Sequence, residues 1–127
     1  MITSTKRFVS LPQPIRMLLD AGLVLVFIAI GLTSHHEPLG QILPTATPFV
    51  LALAAAHLGV WAVGSRRALP LLLEGFMVWV TTLVLGIGLR LSMGDTAATA
   101  FIVVSALTLL VLLCGWRIVA LLVARRR

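Results

Sequence analysis

The chain has 127 residues, of which 60% are hydrophobic and only 11% are charged, and its formal net charge is +6. Because soluble domains carry roughly 25% charged residues, this composition excludes an ordinary soluble domain and predicts one domain embedded in a lipid bilayer. The basic residues lie mostly in short tails and turns beside apolar runs, which is typical of membrane topology and argues against nucleic acid as a partner.

Four long apolar runs predict four transmembrane helices, at about residues 15–33, 47–64, 68–91 and 97–123. Continuous runs of this length, without the alternation of barrel strands, favour helices because a helix satisfies its own backbone hydrogen bonds in hydrocarbon. The short turns after the second and third runs make the helices on either side antiparallel neighbours. The predicted fold class is therefore all-α, a polytopic four-helix transmembrane bundle that occupies residues 1–127 as a single domain.

Several residues mark the expected helix starts. Pro14 suits the first turn of the first helix, where its missing N–H costs nothing. Thr47 is expected to cap the second helix, with Pro48 at the first helical position. Asp95 or Thr96 is expected to cap the fourth helix.

The charges in the loops predict the orientation of the bundle. Apart from Arg117, which lies within the fourth apolar run, the basic residues lie at one end of the bundle, except for Arg90, which lies near the opposite end together with Glu37 and Asp95. The positive-inside rule places this basic end, and with it both termini, in the cytoplasm. The basic residues at the cytoplasmic end are Lys6, Arg7, Arg16, Arg66, Arg67, Arg125, Arg126 and Arg127.

Three ionisable residues form an inner polar layer. Counted at a rise of 1.5 Å per residue, Asp20, Glu74 and Arg117 lie at similar heights above the cytoplasmic ends of their helices. Because an unpaired charge in a membrane is costly, we expect Asp20 to pair with Arg117 and so to join the first helix to the fourth. Arg16 is an alternative partner for Asp20, and Glu74 is either a second partner of Arg117 or is kept protonated by burial. The layer is either a structural clip or part of a mechanism.

An outer polar layer lies at the other end of the bundle and consists of Ser34, His35, Arg90 and Asp95. One face of the first helix connects the two layers, and its residues are Asp20, Val24, Phe27, Gly31 and Ser34. We expect this face to contact a face of the fourth helix that carries Thr99, Val103, Ala106, Leu110, Leu113 and Arg117.

The histidines and the single cysteine are the candidate ligands of the chain. For His57, near the middle of the second helix, we expect a neutral imidazole bonded to a backbone carbonyl, with a proton relay or a ligand contact as the alternative. Haem would need a second axial ligand, which the spans do not supply. His35 and His36 beside Glu37 are a weak metal signal, because adjacent side chains point apart. Cys114 is expected to be a packing residue, so we predict no metal site, cofactor or disulfide.

The three tryptophans are assigned by their depth in the membrane. Trp61 and Trp116 lie near the cytoplasmic ends of their helices, where the aromatic belt of a membrane protein is found. Trp79 lies in the middle of its span, and we expect it to pack in the core.

A set of short motifs follows the chain in a specific order and spacing: Asp20, Phe27, Gly31, Ser34, His35, Pro48, Phe49, Gly75, Trp79, Leu89, Arg90, Gly94, Phe101, Gly115, Trp116 and Arg117. Over about residues 17–118, this pattern resembles a small four-helix membrane-protein family of unknown function that is found mainly in actinobacteria. Members of that family typically carry a Gly-Arg-x-Ser-His stretch, and Leu32 stands here at the arginine position. The resemblance implies a plasma-membrane protein that lacks one outer-layer contact, and it names no activity.

Two functions of different classes fit these observations. The first is a small transporter or channel-like protein in which Asp20 or Glu74 exchanges protons or binds a cation; four short helices enclose little space, so two or more copies would be needed. The second is a non-catalytic accessory or assembly subunit of a membrane complex. A weaker third reading is the binding of lipid or quinone near Arg90 or Arg117. Since the sequence contains no catalytic motif, we expect no enzymatic activity. The expected partners are the lipid bilayer and either further copies of the chain or a membrane complex.

Overall fold

The computed structural model describes residues 11–126, and these residues form four α-helices without any strand. The helices are α1 (Gln13–Ser34), α2 (Ile42–Gly64), α3 (Leu71–Ser92) and α4 (Thr99–Arg126). Each of the four is long and apolar enough to cross a membrane. The all-α prediction with four spans is therefore confirmed, and the architecture is compatible with a multi-pass membrane protein. Lys6, Arg7 and Arg127 lie outside the described residues.

The helices form an antiparallel bundle in which each helix packs beside the next one in the chain, and α4 also contacts α1. One end of the bundle carries the start of α1, the turn between α2 and α3, and the end of α4; we call it the inner end, and the opposite end the outer end. An ion pair between Arg16 and Glu74, in the first turns of α1 and α3, shows that these two helix starts lie at the same height.

The first helix begins and ends close to the predicted positions. Pro14 lies in its first turn, as predicted. At its outer end the amide of Glu37 donates to the carbonyl of Leu32 at 2.8 Å, and His36 has a φ of 58°. This is the Schellman arrangement, in which a residue with left-handed backbone closes the helix. Histidine here occupies a position that glycine usually fills.

The second helix begins five residues before the predicted start, at Ile42. A single 3-10 turn precedes it, and Pro44 falls in its first turn, where no backbone donor is needed. The predicted cap at Thr47 is therefore wrong: this residue is helical, and its hydroxyl donates to the carbonyl of Leu43. Pro48 is inside the helix rather than at its first position.

The third and fourth helices begin later than predicted. α3 starts at Leu71 instead of about residue 68, because Pro70 disfavours helical backbone at the residue before it. α4 starts at Thr99, so neither Asp95 nor Thr96 caps it. The Asp95 side chain instead accepts a hydrogen bond from the amide of Thr96 at 2.9 Å.

Aromatic rings form the centre of the outer half of the bundle. Phe49 is fully buried and makes edge contacts with Phe27 and Phe101, each at a centroid distance of 6.2 Å. Gly86 makes this possible, since a Cβ there would lie 2.5 Å from the Phe49 ring. Toward the inner end the core is filled by apolar side chains, among them Val24, Leu53, Val78, Leu109 and Leu113.

The predicted contact between α1 and α4 holds only in the inner half. There Val24 and Leu113 are fully buried. In the outer half Val103 is 51% exposed, and Ser105 is the fully buried residue instead. The prediction of one continuous contact was wrong, because a cavity lined by residues of both helices lies between their outer halves.

Candidate functional site

Each of the four helices contributes one ionisable side chain to a buried cluster near the inner end. These residues are Asp20 on α1, His57 on α2, Glu74 on α3 and Arg117 on α4. Asp20 and Arg117 have no exposed surface at all. Buried charges are stable only when they are paired and hydrogen-bonded, so the partners of each group decide what the cluster can do.

Arg117 contacts both buried carboxylates. It donates from Nη1 to Oδ1 of Asp20 at 2.9 Å and from Nη2 to Oδ2 at 2.8 Å, which is the planar two-bond geometry that suits a guanidinium and a carboxylate. Nη2 also donates to Oε2 of Glu74 at 3.0 Å. The predicted pair between Asp20 and Arg117 is therefore present. Gly75 leaves room for the arginine, since a Cβ there would lie 2.6 Å from Cδ of Arg117.

Asp20 has two further donors. Nε2 of His57 lies 2.8 Å from Oδ2, and Nε1 of Trp116 donates to Oδ1 at 2.8 Å. The expectation that His57 bonds a backbone carbonyl was wrong, because the carboxylate of Asp20 lies at the same height and is the stronger acceptor. The indole of Trp116, predicted as an interface anchor, is directed to the same carboxylate.

Glu74 lies between two arginines. Besides Arg117, it accepts from Arg16, whose Nη2 is 2.7 Å from Oε1 and whose Nε is 3.0 Å from both oxygens. Arg16 therefore does not serve as the alternative partner of Asp20. Glu74 also lies in the first turn of α3, where the helix dipole favours a negative charge. With a neutral His57, two arginines balance two carboxylates.

Gln13 connects the cluster with the inner surface. Its side-chain amide donates to the carbonyl of His57 at 2.7 Å and lies 3.4 Å from Nδ1 of the same residue. In the tautomer that carries its proton on Nε2, His57 donates to Asp20 and its Nδ1 faces the amide of Gln13. Gln13, Arg16 and Glu74 all line a cavity of about 330 Å³ at the inner end. The buried histidine is thus one side chain away from this cavity.

The outer layer is organised around Arg90. Its Nη1 lies 3.5 Å from Oδ2 of Asp95, its Nε donates to the carbonyl of Thr96, and its guanidinium carbon lies 4.6 Å from the centre of the Phe101 ring. The structure thus brings Arg90 and Asp95 together. His35 lines the cavity between the outer halves of α1 and α4, which Arg90 and Asp95 also line.

Two other positions at the outer end, Ser34 and Leu32, make no hydrogen bond or ion pair with Arg90 among the described residues. Ser34 is exposed and does not line the outer cavity. Leu32, at the position of the family arginine, is buried and forms part of the cavity wall. The predicted outer layer is therefore only partly a cluster.

Sequence reasoning missed three members of the inner site, namely His57 as a partner of Asp20, Trp116 and Gln13. A signal for the first existed: Asp20 follows the start of α1 by seven residues, and His57 precedes the end of α2 by seven. Counting from helix ends therefore places both at one height. The mistaken start of α2 made His57 look central instead. Two predictions about packing are confirmed. Cys114 is buried, and Trp79 lies within the bundle, where it donates to the carbonyl of Ala106.

Comparison with known families adds one result. The family described as protein of unknown function (DUF3054) matches residues 17–120. The chain belongs to this family. The match confirms the resemblance seen in the sequence, and the DUF3054 region contains every ionisable residue of the buried cluster, whereas Gln13 and Arg16 precede it. Searches of curated proteins and of solved structures each gave no match.

Proposed function

We propose that this DUF3054 protein is a small transporter or channel-like protein of the bacterial plasma membrane, and that its buried cluster carries a proton. The observation that supports this is the hydrogen-bonded series from the inner cavity through Gln13 and His57 to Asp20. Ionisable groups within a membrane span are costly and commonly mark ion or proton pathways. The proposal includes no enzymatic reaction.

The proposed proton step uses both nitrogens of one imidazole. Nδ1 of His57 accepts a proton that arrives from the inner cavity past Gln13. The proton on Nε2 then moves to Oδ2 of Asp20, which lies 2.8 Å away. One proton has entered, Asp20 is neutral, and His57 is a neutral imidazole again with its proton on Nδ1. Imidazole is suited to this role because it can accept and donate at different atoms.

Protonation of Asp20 has a direct structural consequence in this proposal. The two charge-assisted bonds from Arg117 to Asp20 weaken when the carboxylate becomes neutral, while Arg117 keeps Glu74 as its partner. These two bonds join α1 to α4 in the inner half, and the outer halves are already separated by a cavity. The proton therefore shifts the equilibrium toward a state in which the two helices part at the inner end.

Transport in this proposal requires more than one copy of the chain. Between the cluster and the outer cavity, the described part of the bundle is filled by fully buried side chains such as Val24, Leu109 and Leu113. A single closed bundle therefore offers little room for a path, and we propose that the contact between two copies, along their α1–α4 seams, provides it. Mass measurement of the purified protein in mild detergent tests this part: a monomer would contradict it.

Proton flux into proteoliposomes tests the function. Liposomes with a trapped pH-sensitive dye and an imposed potassium diffusion potential should acidify when they contain the wild type. Asp20→Asn and His57→Gln should lower the rate to that of protein-free liposomes, and Glu37→Gln, which removes an exposed carboxylate, should leave it unchanged. Elution of each variant as a single species in size-exclusion chromatography controls for folding. Equal flux for the wild type and Asp20→Asn would overturn the proposal.

A second candidate function follows from the completeness of the pairing. Every carboxylate oxygen of Asp20 and Glu74 accepts at least one hydrogen bond, which also suits a rigid clip in a non-catalytic accessory or assembly subunit. Affinity purification in mild detergent distinguishes the two functions. A stoichiometric partner together with no proton flux would support the accessory subunit, and a homo-oligomer with flux would support the transporter.

We further propose that the inner end, with both termini, faces the cytoplasm, as the excess of exposed basic residues there indicates. Labelling of cysteines in intact cells tests this in a Cys114→Ser background. A membrane-impermeant maleimide should label Ser92→Cys, at the outer end of α3, and should leave Ser65→Cys, in the turn after α2, unlabelled. The reverse pattern would contradict the proposed orientation.

A further inference from the structure

A second site is present at the outer end, apart from the buried cluster. A cavity of about 750 Å³ lies between the outer halves of α1 and α4, within the range of sizes that ligand sites have in proteins. Apolar side chains form its wall, and charged side chains lie at its mouth. The residues that matter for its chemistry are Phe27, Phe101, Ser105, Arg90, Asp95 and Glu37.

Ser105 is the most completely buried of the polar residues that line this cavity. It is fully buried, and its hydroxyl has no hydrogen-bond partner among residues 11–126. A serine within a helix usually donates to the carbonyl four residues earlier, here that of Phe101, but this bond is not made. A buried hydroxyl without a partner is unfavourable. An acceptor oxygen on a ligand in the cavity would satisfy it.

Arg90 provides a mostly buried cation at the mouth. Its side chain is only 16% exposed, and its carboxylate partner Asp95 is 3.5 Å away and 55% exposed. A phosphate would bind this guanidinium more closely than Asp95 does, because guanidinium and phosphate form short, paired hydrogen bonds. A ligand that is only an anion, however, would meet the carboxylates of Asp95 and Glu37. The mouth therefore suits a head group that carries a phosphate and an ammonium.

We propose that this cavity binds the head group and glycerol of phosphatidylethanolamine. The phosphate lies on Arg90, the ammonium lies beside Glu37 and Asp95, and an ester carbonyl accepts from the hydroxyl of Ser105. Ser105 follows Phe101 by one helical turn, roughly 6 Å along the axis, and the esters of a phospholipid likewise lie below its phosphate. The acyl chains leave through the gap between α1 and α4. A lipid fits this cavity better than a soluble zwitterion does, because apolar side chains line it, among them Phe27, Phe101, Ile28 and Leu32.

Lipid retention in native mass spectrometry tests the proposal. The protein is released from nanodiscs that contain equal amounts of phosphatidylethanolamine, phosphatidylglycerol and phosphatidylcholine. We expect one retained lipid per chain and a several-fold excess of phosphatidylethanolamine. Retention of phosphatidylglycerol in excess, or of no lipid above the detergent background, would overturn the proposal. Because the readout is binding, it does not depend on the proposed proton flux.

A matched pair of variants separates the cavity from general stability. Ser105→Ala removes a hydroxyl that has no hydrogen-bond partner among residues 11–126, so the bundle is unaffected while retention falls several-fold. Thr82→Val removes the other buried hydroxyl that has no partner among the described residues, and it does not line the cavity, so retention stays at the wild-type level. Equal retention in Ser105→Ala and Thr82→Val would contradict the bond to the ester.

Charge variants and a soluble competitor test the head group. Arg90→Gln should abolish the preference, whereas Arg66→Gln, an exposed arginine at the inner end, should not. Glu37→Gln should shift retention toward phosphatidylglycerol, because one carboxylate no longer repels the anion. Millimolar O-phosphoethanolamine should not displace the lipid. Displacement would show that the head group alone is recognised and would overturn the role of the apolar wall.

Discussion

Arg117 on the last helix holds the carboxylate of Asp20 on the first helix with two parallel hydrogen bonds, of 2.9 and 2.8 Å. These helices are not neighbours in the chain, so the pair closes the bundle. Both side chains are fully buried, and removal of either partner leaves the other charge without full compensation. Such pairs matter less for the energy they add than for the energy lost when one half is missing.

Replacement of Arg117 by methionine should therefore be among the most damaging changes in the chain. It leaves Asp20 and Glu74 with fewer donors in a buried site, and we expect a loss of about 3–5 kcal/mol in the free energy of unfolding. Unfolding in a titration with dodecyl sulfate, followed by tryptophan fluorescence, measures this loss. Arg66→Met, at an exposed position, should change it by less than about 0.5 kcal/mol. Similar values for the two variants would contradict the importance of the pair.

Gly75→Ala tests the space that Arg117 occupies. The new methyl group would lie 2.6 Å from Cδ of Arg117, so the side chain must shift, and we expect a cost of about 1–3 kcal/mol. Gly88→Ala in the same helix is the control, because a Cβ there meets nothing within 4 Å. The control should be neutral or slightly stabilising, since alanine favours a helix by roughly 0.5–1 kcal/mol. If both variants unfold at the same dodecyl sulfate concentration, the close approach is not present.

Replacing each of the three tryptophans by phenylalanine should lower the free energy of unfolding by a different amount. Trp116→Phe loses a hydrogen bond to the charged Asp20, which should cost about 1.5–3 kcal/mol. Trp79→Phe loses a bond to the neutral carbonyl of Ala106 and should cost about 0.5–1.5 kcal/mol. Trp61 is 62% exposed, and its replacement by phenylalanine should have little effect in detergent. A thiol-reactive dye that labels the buried Cys114 on heating reports the unfolding temperature of each. Any other order of the three would speak against the bond to Asp20.

The outer ends of α1 and α3 permit a matched backbone test. Both helices end with a left-handed residue, His36 with φ 58° and Gly94 with φ 86°, and the amide of Asp95 donates to the carbonyl of Arg90 as in the Schellman arrangement. Because a side chain is unfavourable in this conformation, Gly94→Ala should destabilise by about 1–2 kcal/mol. His36→Gly should stabilise by up to about 1 kcal/mol, as glycine costs some chain entropy in return. Thermal unfolding curves should show a lower unfolding temperature for Gly94→Ala and a higher one for His36→Gly than for the wild type.

The sequence was sufficient to predict the number of spans, the pairing of Asp20 with Arg117 and the burial of Cys114. These depend on run length, on charge and on height along a helix, which can be counted. The start of α2 could not be read correctly, because Pro44 and Pro48 each suit the first turn of a helix, and the structure has Pro44 in that turn and Pro48 inside the helix. The predicted span was therefore too short, so that His57 lay near its centre in the prediction rather than near its inner end.

Composition and the length of the apolar runs are sufficient for helices that can cross a membrane, because a backbone in hydrocarbon must pair with itself. Composition and run length do not determine which carboxylate each arginine pairs with. Arg16 could reach Asp20 on its own helix but binds Glu74 on another, because the rotation of each helix about its axis follows from tertiary packing. That rotation depends on contacts between helices far apart in the chain, such as Phe49 against Gly86 and Arg117 against Gly75. The cavity between the outer halves of α1 and α4 also arises only when all the helices are assembled.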